Sequence, residues 1–149
     1  DKHKVVKQNI NMSKDSNNLL ERFNSSINFE IEDKNKGNKL LKELGLSDQD
    51  KFVCLGIRDD AYLKIRAPQR DYKYHDYRNG ELKKFIMAAE ELTKRGYYVI
   101  RMGANVAEPL KIKNPMIIDY ANSSLRSDFM DIYLASKCTF CERSYGFNI

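Results

Sequence analysis

The sequence predicts an α/β fold, a Rossmann-like three-layer domain with helices on both faces of a mostly parallel sheet. Apolar runs of strand length alternate along the chain with segments of helical periodicity, an order typical of parallel βαβ units. Charged residues follow the apolar runs directly, where open α/β folds bind their ligands. The chain has 149 residues, of which 42% are hydrophobic and 32% charged, enough for one domain with its own core.

Composition restricts the function in three ways. The net charge of +5 suits an anionic ligand such as a nucleotide or a phosphate, with a modestly basic domain lacking such a ligand as the alternative. No apolar run approaches the roughly 20 residues needed to cross a bilayer. The three cysteines, Cys54, Cys138 and Cys141, are an odd number, which argues against a disulfide framework and favours a reducing cytoplasm.

The chain begins with a polar segment and a helix. Residues 1–26 show little apolar periodicity, and we expect a linker or a loosely packed arm there. Residues 28–44 predict a helix with acidic residues near its start and an apolar face formed by Leu40, Leu41 and Leu44. Gly45 is well placed to end this helix, whereas Gly37 weakens its middle.

The next predicted elements are a strand, a long loop and a helix. Residues 52–57 are nearly all apolar, as expected for a strand covered on both faces. Residues 58–79 predict a polar connection without regular structure, a kind that is usually functional or disordered. We expect Asn79 to cap a helix that has Glu81 in its first turn and ends at Gly96. Its apolar face repeats at helical spacing: Leu82, Phe85, Ile86, Ala89 and Leu92.

The last third of the chain predicts three short strands and one helix. The strands are expected at residues 97–102, 116–118 and 137–141, and the helix at residues 125–136. Phe129, Ile132 and Tyr133 are expected to face inward from this helix. The CxxC formed by Cys138 and Cys141 closes a predicted strand, so we interpret it as buried structural cysteines, not as a zinc or redox site.

Parallel strands end at the same edge of a sheet, which brings several polar groups together. Arg58 and Arg101 lie at the ends of the first two strands, where an arginine can pair with a phosphate through two hydrogen bonds. The alternative for Arg58 is an ion pair with Asp59 or Asp60. The alternative for Arg101 is an internal ion pair with Asp119.

The polar loop holds the other candidate residues. Asp59, Asp60, Asp71, His75 and Asp76 contain metal-ligand groups, but their spacing matches no metal motif. His75 is also a candidate general base oriented by a carboxylate. The loop tyrosines alternate with basic residues and suit stacking on a sugar or a nucleobase, or pinning of the loop; the low overall charge argues against nucleic acid. These tyrosines are Tyr72, Tyr74 and Tyr77.

Three motifs in order resemble one protein family. VCLGIRDDAYLK (53–64), YHDYRN (74–79) and GYYVIRMG (96–103) are similar to bacterial glycosyltransferases linked to surface-polysaccharide biosynthesis. KLLKELGL (39–46) and DYANSSLRSDFMDIYLASKCTFC (119–141) also resemble that family, so the resemblance covers residues 28–149. It implies one half of a GT-B glycosyltransferase, with residues 27–149 as the C-terminal domain that binds a nucleotide-sugar and is cut short at its carboxyl end.

The resemblance also implies partners and roles. The expected partners are a nucleotide-sugar donor, a glycan or lipid-linked acceptor and an N-terminal domain of a longer parent chain, without a metal, another cofactor or nucleic acid. The expected location is the cytoplasm, and contact with the inner face of the membrane is expected through the acceptor. His75, Asp76 and Asp59 are the candidate catalytic residues. The expected substrate-binding residues are Arg58, Tyr62, Tyr74, Tyr77, Arg78, Asn79, Arg101, Gly103, Ser144 and Gly146.

Two other functions remain open from the sequence. One is a non-catalytic α/β module that binds a phosphorylated or polysaccharide ligand at the same basic edge. The other is a metal-dependent phosphohydrolase that would use Asp59, Asp60, His75 and Asp76.

Overall fold

A computed structural model describes residues 28–71 and 73–143 of the chain. The arm predicted for residues 1–26 and the predicted binding residues Ser144 and Gly146 lie outside this range. The described residues form four α-helices, four strands and two 3-10 helices. In chain order the helices and strands are α1 (Ile31–Glu43), β1 (Phe52–Gly56), α2 (Ala61–Arg66), α3 (Leu82–Lys94), β2 (Tyr98–Met102), β3 (Ile117–Ile118), α4 (Asp128–Lys137) and β4 (Cys141–Arg143).

The four strands form one parallel sheet, which confirms the predicted α/β class and is compatible with a Rossmann-like fold. Their order across the sheet is β3-β2-β1-β4, and each neighbouring pair is parallel. The chain therefore steps from β1 to β2 to β3 in one direction, and then α4 leads it back to β4 on the other side of β1. The strand order reverses at β1, and all four carboxyl ends lie at one edge of the sheet, the carboxyl edge.

Helices α1 and α4 cover one face of the sheet. Leu41 of α1 and Tyr133 of α4 are buried with Cys54 and Ile100 of the two central strands in one apolar cluster. Successive residues of a strand point to opposite faces of the sheet, so the neighbours of these strand residues lie on the other face. That face is covered by α3, where Ala89 packs with Val53, Leu55, Val99 and Ile117.

Glycine residues end α1 and α3 as predicted. Gly45 has φ +87°, and its N–H donates to Lys42 O (3.0 Å) while the Leu46 N–H donates to Leu41 O (3.0 Å). Gly96 has φ +84° and a corresponding pair of bonds at the end of α3. A residue without a Cβ adopts this left-handed conformation readily, so both helices end where the sequence predicts.

Gly37 has a packing role that the sequence does not reveal. A Cβ added at this buried position would overlap the ring of Tyr133 on α4. The Tyr133 hydroxyl donates to the Asn38 side-chain oxygen (2.7 Å), which holds the ring against α1. The glycine therefore lets α1 and α4 approach closely and is not only a weak point of the helix.

The prediction of an irregular connection over residues 58–79 is wrong. This stretch contains α2 and a 3-10 helix at Lys73–Arg78. Helix α2 buries no side chain, so its sequence lacks the apolar periodicity by which amphipathic helices are recognised. The prediction that Asn79 caps α3 is also wrong, because Glu81 is the residue before that helix. Asn79 instead donates from its side-chain amide to Asp76 Oδ1 (3.4 Å).

Helix α4 begins three residues later than predicted because Ser127 caps it. The Ser127 hydroxyl accepts a hydrogen bond from the Met130 N–H (3.2 Å). The inward face of α4 is formed by Met130, Tyr133 and Leu134, so the inward placement of Ile132 is wrong; it is 46% exposed.

The CxxC lies between α4 and β4 instead of closing a strand. Cys138 follows the end of α4 and is half-buried, whereas Cys141 begins β4 and is exposed. The prediction of buried structural cysteines is therefore wrong for Cys141. Within residues 28–71 and 73–143, none of the cysteines forms a disulfide bond. The helices in these ranges are all too short or too polar to span a bilayer.

Candidate functional site

The candidate site lies at the carboxyl edge, where β1 ends between β2 and β4. Gly56, the last residue of β1, pairs with Met102 on one side and with Arg143 on the other. The polar residues that the sequence places after each strand therefore share this edge. In open α/β sheets the crevice for a ligand opens where the strand order reverses, which here is between β1 and β4.

Arg58 comes shortly after β1, at the point where a long excursion of the chain begins. Ile57 is buried, and Arg58 is half-buried at the point where the chain leaves the sheet. The Arg58 carbonyl accepts a hydrogen bond from the Gly80 N–H (2.9 Å). We name residues 58–80 the excursion, because the chain leaves the end of β1 at Arg58 and returns beside it at Gly80. The excursion contains most of the predicted site residues. This backbone bond holds the two ends of the excursion together.

Asp59 bridges three segments through its two carboxylate oxygens. Oδ1 accepts from the Ala61 N–H (3.0 Å) at the start of α2, and Oδ2 accepts from the Ala107 N–H (2.8 Å). The second bond joins residues that are 48 positions apart. Both oxygens of this carboxylate are therefore engaged by main-chain N–H groups. The predicted catalytic residue Asp59 is therefore placed as a support of the site.

Arg101 is buried and engaged within the protein. Its side chain is 2% exposed, and Nη1 donates to Glu108 O (2.7 Å) and lies 3.5 Å from Asp119 Oδ1. This internal pairing is the alternative that the sequence left open for Arg101. Asp119 Oδ2 also accepts from the Leu110 N–H (2.8 Å), so both ionised side chains contact the same segment.

Three charged side chains from three strand ends thus hold one loop by its backbone. Asp59, Arg101 and Asp119 bond to the main chain of residues 107–110, which lie between β2 and β3. The sequence predicts Asp59 as a catalytic residue and Arg101 as a substrate-binding one, and it offers Asp119 only as an internal partner of Arg101. One signal was available for Asp59, because an aspartate two residues before a helix start commonly accepts from the backbone there. The contact with Ala107 had no such local signal.

Gly103 allows this loop to turn closely over the sheet. It is buried directly after β2, and an added Cβ would lie 2.9 Å from Val106 Cγ1. Such a distance is too short for two carbon atoms, so a larger residue here would require the Val106 side chain to move. Gly103 therefore shapes the loop from within.

The remaining predicted site residues lie on the excursion. Tyr62 on α2 and Tyr77 on the 3-10 helix are 46% and 76% exposed. Asp76 is exposed and Asn79 half-buried. Tyr74, His75 and Arg78 belong to the same 3-10 helix by their backbone. The structure thus brings residues 74–78 of the YHDYRN motif onto one short 3-10 helix, and Asn79 follows this helix just before the chain returns to Arg58.

Lys64 and Asp60 form an exposed ion pair at the start of the excursion. Lys64 Nζ lies 2.6 Å from Asp60 Oδ2. The hydrogen bond with Asp60 and its charge raise the pKa of Lys64, with smaller contributions from the charges of Asp76 and Asp59. Asp60 is therefore already paired with a cation. Across the described part of the chain, no group of three or more His, Cys, Asp or Glu side chains has the arrangement of a metal site.

Tyr120 connects β3 to the start of α4, a contact that the sequence analysis missed. It is fully buried, its hydroxyl donates to Asp131 Oδ1 (2.8 Å), and the Ser127 N–H donates to it (3.1 Å). Burial raises the pKa of the Tyr120 phenol, with the hydrogen bond and the charge of Asp131 acting in the same direction. Arg126 donates to the other oxygen of Asp131 (2.9 Å). This network fixes α4 against the sheet.

These contacts divide the predicted site residues into two groups. Asp59, Arg101 and Gly103 build the loop beside the site, whereas Arg58 and the 3-10 helix lie where β1 opens into the excursion. Comparison of the chain with protein-family models, with curated proteins and with solved structures finds no match.

Proposed function

We propose that this chain is the donor-binding domain of a glycosyltransferase and that it holds a nucleotide-sugar at the carboxyl edge. The observation that carries the proposal is the position of Arg58, which follows β1 at the point where the strand order reverses. A ligand in the crevice between β1 and β4 would meet this side chain first. The family resemblance of the motifs around Arg58 supports the same assignment.

Arg58 would bind the diphosphate of the donor. A guanidinium presents two parallel N–H groups to phosphate oxygens and keeps its charge at any physiological pH. Negative charge grows on the diphosphate as the bond to the sugar breaks, so a cation held there stabilises the leaving group. The backbone bond from Gly80 to the Arg58 carbonyl supports this role, because it fixes the main chain of the residue at the carboxyl end of β1.

The other candidate roles follow from which side chains are already engaged. Arg101 and Asp59 bond to the loop at residues 107–110, so in this proposal they shape the site and do not contact the donor. His75 and Asp76 remain the candidates for the catalytic base, because both belong to the 3-10 helix that leads back to Arg58. Ser144 and Gly146, directly after β4, remain predicted phosphate contacts.

Calorimetric titration with GDP-, UDP- and CMP-sugars tests the proposal. We expect one of these donors to bind, and Arg58→Ala to weaken its binding by about 10- to 100-fold, as for loss of a charged hydrogen-bonded pair. Arg95→Ala is the matched control. It removes the same charge at an exposed position after α3, beside the amino end of β2, and is expected to leave binding unchanged.

Two outcomes would count against this function. Equal affinities of Arg58→Ala and Arg95→Ala for the donor would remove Arg58 from the site. Donor binding without release of free nucleotide by the longer parent protein in the presence of acceptors would instead favour a non-catalytic binding module.

A further inference from the structure

Helix α2 is held in place by polar contacts and buries none of its side chains. Asp59 Oδ1 accepts from the Ala61 N–H (3.0 Å) at its start, and Asp60 pairs with Lys64 one turn later. A helix of six residues is far too short to be stable on its own. Leu63 is half-buried, whereas Tyr62 and Ile65 are exposed, so α2 is an ordered element that presents two apolar side chains to solvent.

One face of α2 combines apolar and basic side chains. Tyr62, Ile65 and Arg66 follow each other at the three- and four-residue spacing that puts side chains on the same side of a helix. We name these three residues the α2 face. Tyr62 is 46% exposed and Ile65 is 65% exposed, and Arg66 is also exposed. The α2 face therefore exposes two apolar side chains next to a basic one.

Basic residues dominate the surroundings of this face. Between residues 61 and 73 the bases Lys64, Arg66, Arg70 and Lys73 are all exposed, against one exposed acid, Asp71. Lys64 is paired with Asp60, so three bases remain against that acid. This local excess of positive charge is complementary to an anionic surface. Lysine and arginine attract anionic lipid headgroups, while neighbouring tyrosine and isoleucine side chains gain from entering the boundary between headgroups and acyl chains.

The form of the patch favours lipid over a protein partner. Its apolar side chains are few and are separated by charged ones, whereas a stable protein interface buries a continuous area of roughly 1,200 Å² or more. Long basic side chains can also extend to the headgroups while a short helix lies flat. We propose that the α2 face docks the protein on an anionic lipid bilayer. This proposal does not require donor binding; with it, docking would bring the carboxyl edge close to a lipid-linked acceptor.

Co-sedimentation of the full chain with lipid vesicles tests the proposal. We expect binding to vesicles of phosphatidylcholine with phosphatidylglycerol, little binding to phosphatidylcholine alone, and release as salt is raised. Ile65→Ser should lower the partition coefficient by about 5- to 10-fold, because the isoleucine can no longer enter the lipid. The double variant Arg66→Gln/Arg70→Gln should lower it on the order of 10-fold.

Met87→Ser is the matched control for Ile65→Ser. Met87 is 64% exposed, close to the value for Ile65, but it lies on α3. Both variants should keep the thermal stability of the parent chain, because neither side chain is buried. The expected result is a loss of vesicle binding for Ile65→Ser and none for Met87→Ser.

Three results would overturn the proposal. One is equal binding to neutral and anionic vesicles, and another is equal binding by Ile65→Ser and Met87→Ser. The third is binding that Arg66→Gln/Arg70→Gln abolishes but Ile65→Ser leaves intact, which would assign the patch to an acidic macromolecule without insertion into lipid. All measurements are made without nucleotide, so a failure here is separate from a failure of donor binding.

Discussion

At the scale of single residues, charged side chains at the strand ends serve the backbone of a neighbouring loop. Arg101 lies near the carboxyl end of β2, and Asp119 directly follows β3. Both side chains bond to the main chain of residues 107–110. Each side chain also compensates the other, since a charge that is removed from water needs a partner. The consequence is that replacing one of them leaves an uncompensated charge beside the proposed site.

Arg101→Met is expected to lower the free energy of unfolding by about 3 kcal/mol, which is near the lower end of the range for breaking a buried ion pair. The lower end applies because the partner, Asp119, is 19% exposed. Urea denaturation measures this change. Arg95→Met is the control, because its pair with Glu91 is exposed and should contribute less than about 1 kcal/mol. Similar losses in the two variants would mean that the buried pair contributes no more than an exposed one.

Gly37→Ala is expected to destabilise the protein although alanine is the better helix former. The added methyl group would overlap the buried Tyr133 ring, which the hydrogen bond to Asn38 prevents from moving away. Overpacking of this kind costs about 1–3 kcal/mol. Asn35→Ala, at an exposed position of α1, is the control and should be neutral or slightly stabilising. A Gly37→Ala protein as stable as the control would show that the two helices can separate without cost.

Sequence reasoning was least successful for contacts between distant residues. The sequence predicts Gly37 only as a weak point of a helix, whereas the structure shows the Tyr133 ring packed against it. Asp59 is a candidate catalytic residue in the sequence, which does not reveal that its carboxylate also accepts a hydrogen bond from the Ala107 N–H. Both facts depend on which elements become neighbours, and local patterns carry no information about that.

At the scale of elements, the helices and strands that bury side chains in the core were the ones predicted correctly from the sequence. Helix α3 and strands β1 and β2 were predicted well, because each buries a face and the core imposes a period on the sequence. Helix α2 was missed because it buries nothing. The start of α4 was misplaced because its first turn is decided by the hydroxyl of Ser127 and the buried phenol of Tyr120, not by apolar spacing.

The buried Tyr120 hydroxyl, which is hydrogen-bonded to Ser127 and Asp131, predicts that the free energy of unfolding decreases at alkaline pH. Burial raises the pKa of Tyr120 in the folded protein, so its phenol ionises first in the unfolded chain, near the ordinary value of about 10. Above that pH the unfolded state binds fewer protons than the folded state, and the free energy of unfolding falls with pH. The slope from one tyrosine approaches about 1.4 kcal/mol per pH unit. Burial raises the pKa of Tyr133 as well, which adds to the effect.

Urea denaturation of the wild type and of Tyr120→Phe at a series of pH values measures this slope. The variant is expected to be less stable at neutral pH, because its hydrogen bonds are lost, and to lose less stability in alkali. Tyr62→Phe is the control for removal of a hydroxyl, because Tyr62 is 46% exposed. A slope in Tyr120→Phe as steep as in the wild type would exclude Tyr120 as its source.

At the scale of the whole molecule, the order of the strands gives the proposed site its position. Alternation of strands and helices predicts parallel pairing, but it does not determine on which side of β1 the last strand lies. The return of the chain through α4 to β4 creates the reversal of strand order beside Arg58. The sequence therefore identified residues that lie at the carboxyl edge, and the topology adds the reversal of strand order, the place where open α/β sheets bind their ligands.

This topology predicts where a nucleotide will act on the protein. In an NMR titration with GDP, UDP and CDP, the nucleotide that binds should shift the backbone amides of residues 57–61 and, through Asp59, those of residues 107–110. Residues 47–51 should not respond, because they precede β1, whose five residues separate the two edges by about 16 Å. Arg58→Ala should remove the shifts while leaving the spectrum otherwise folded. Shifts centred on residues 47–51 would place the ligand at the amino edge and contradict the proposed site.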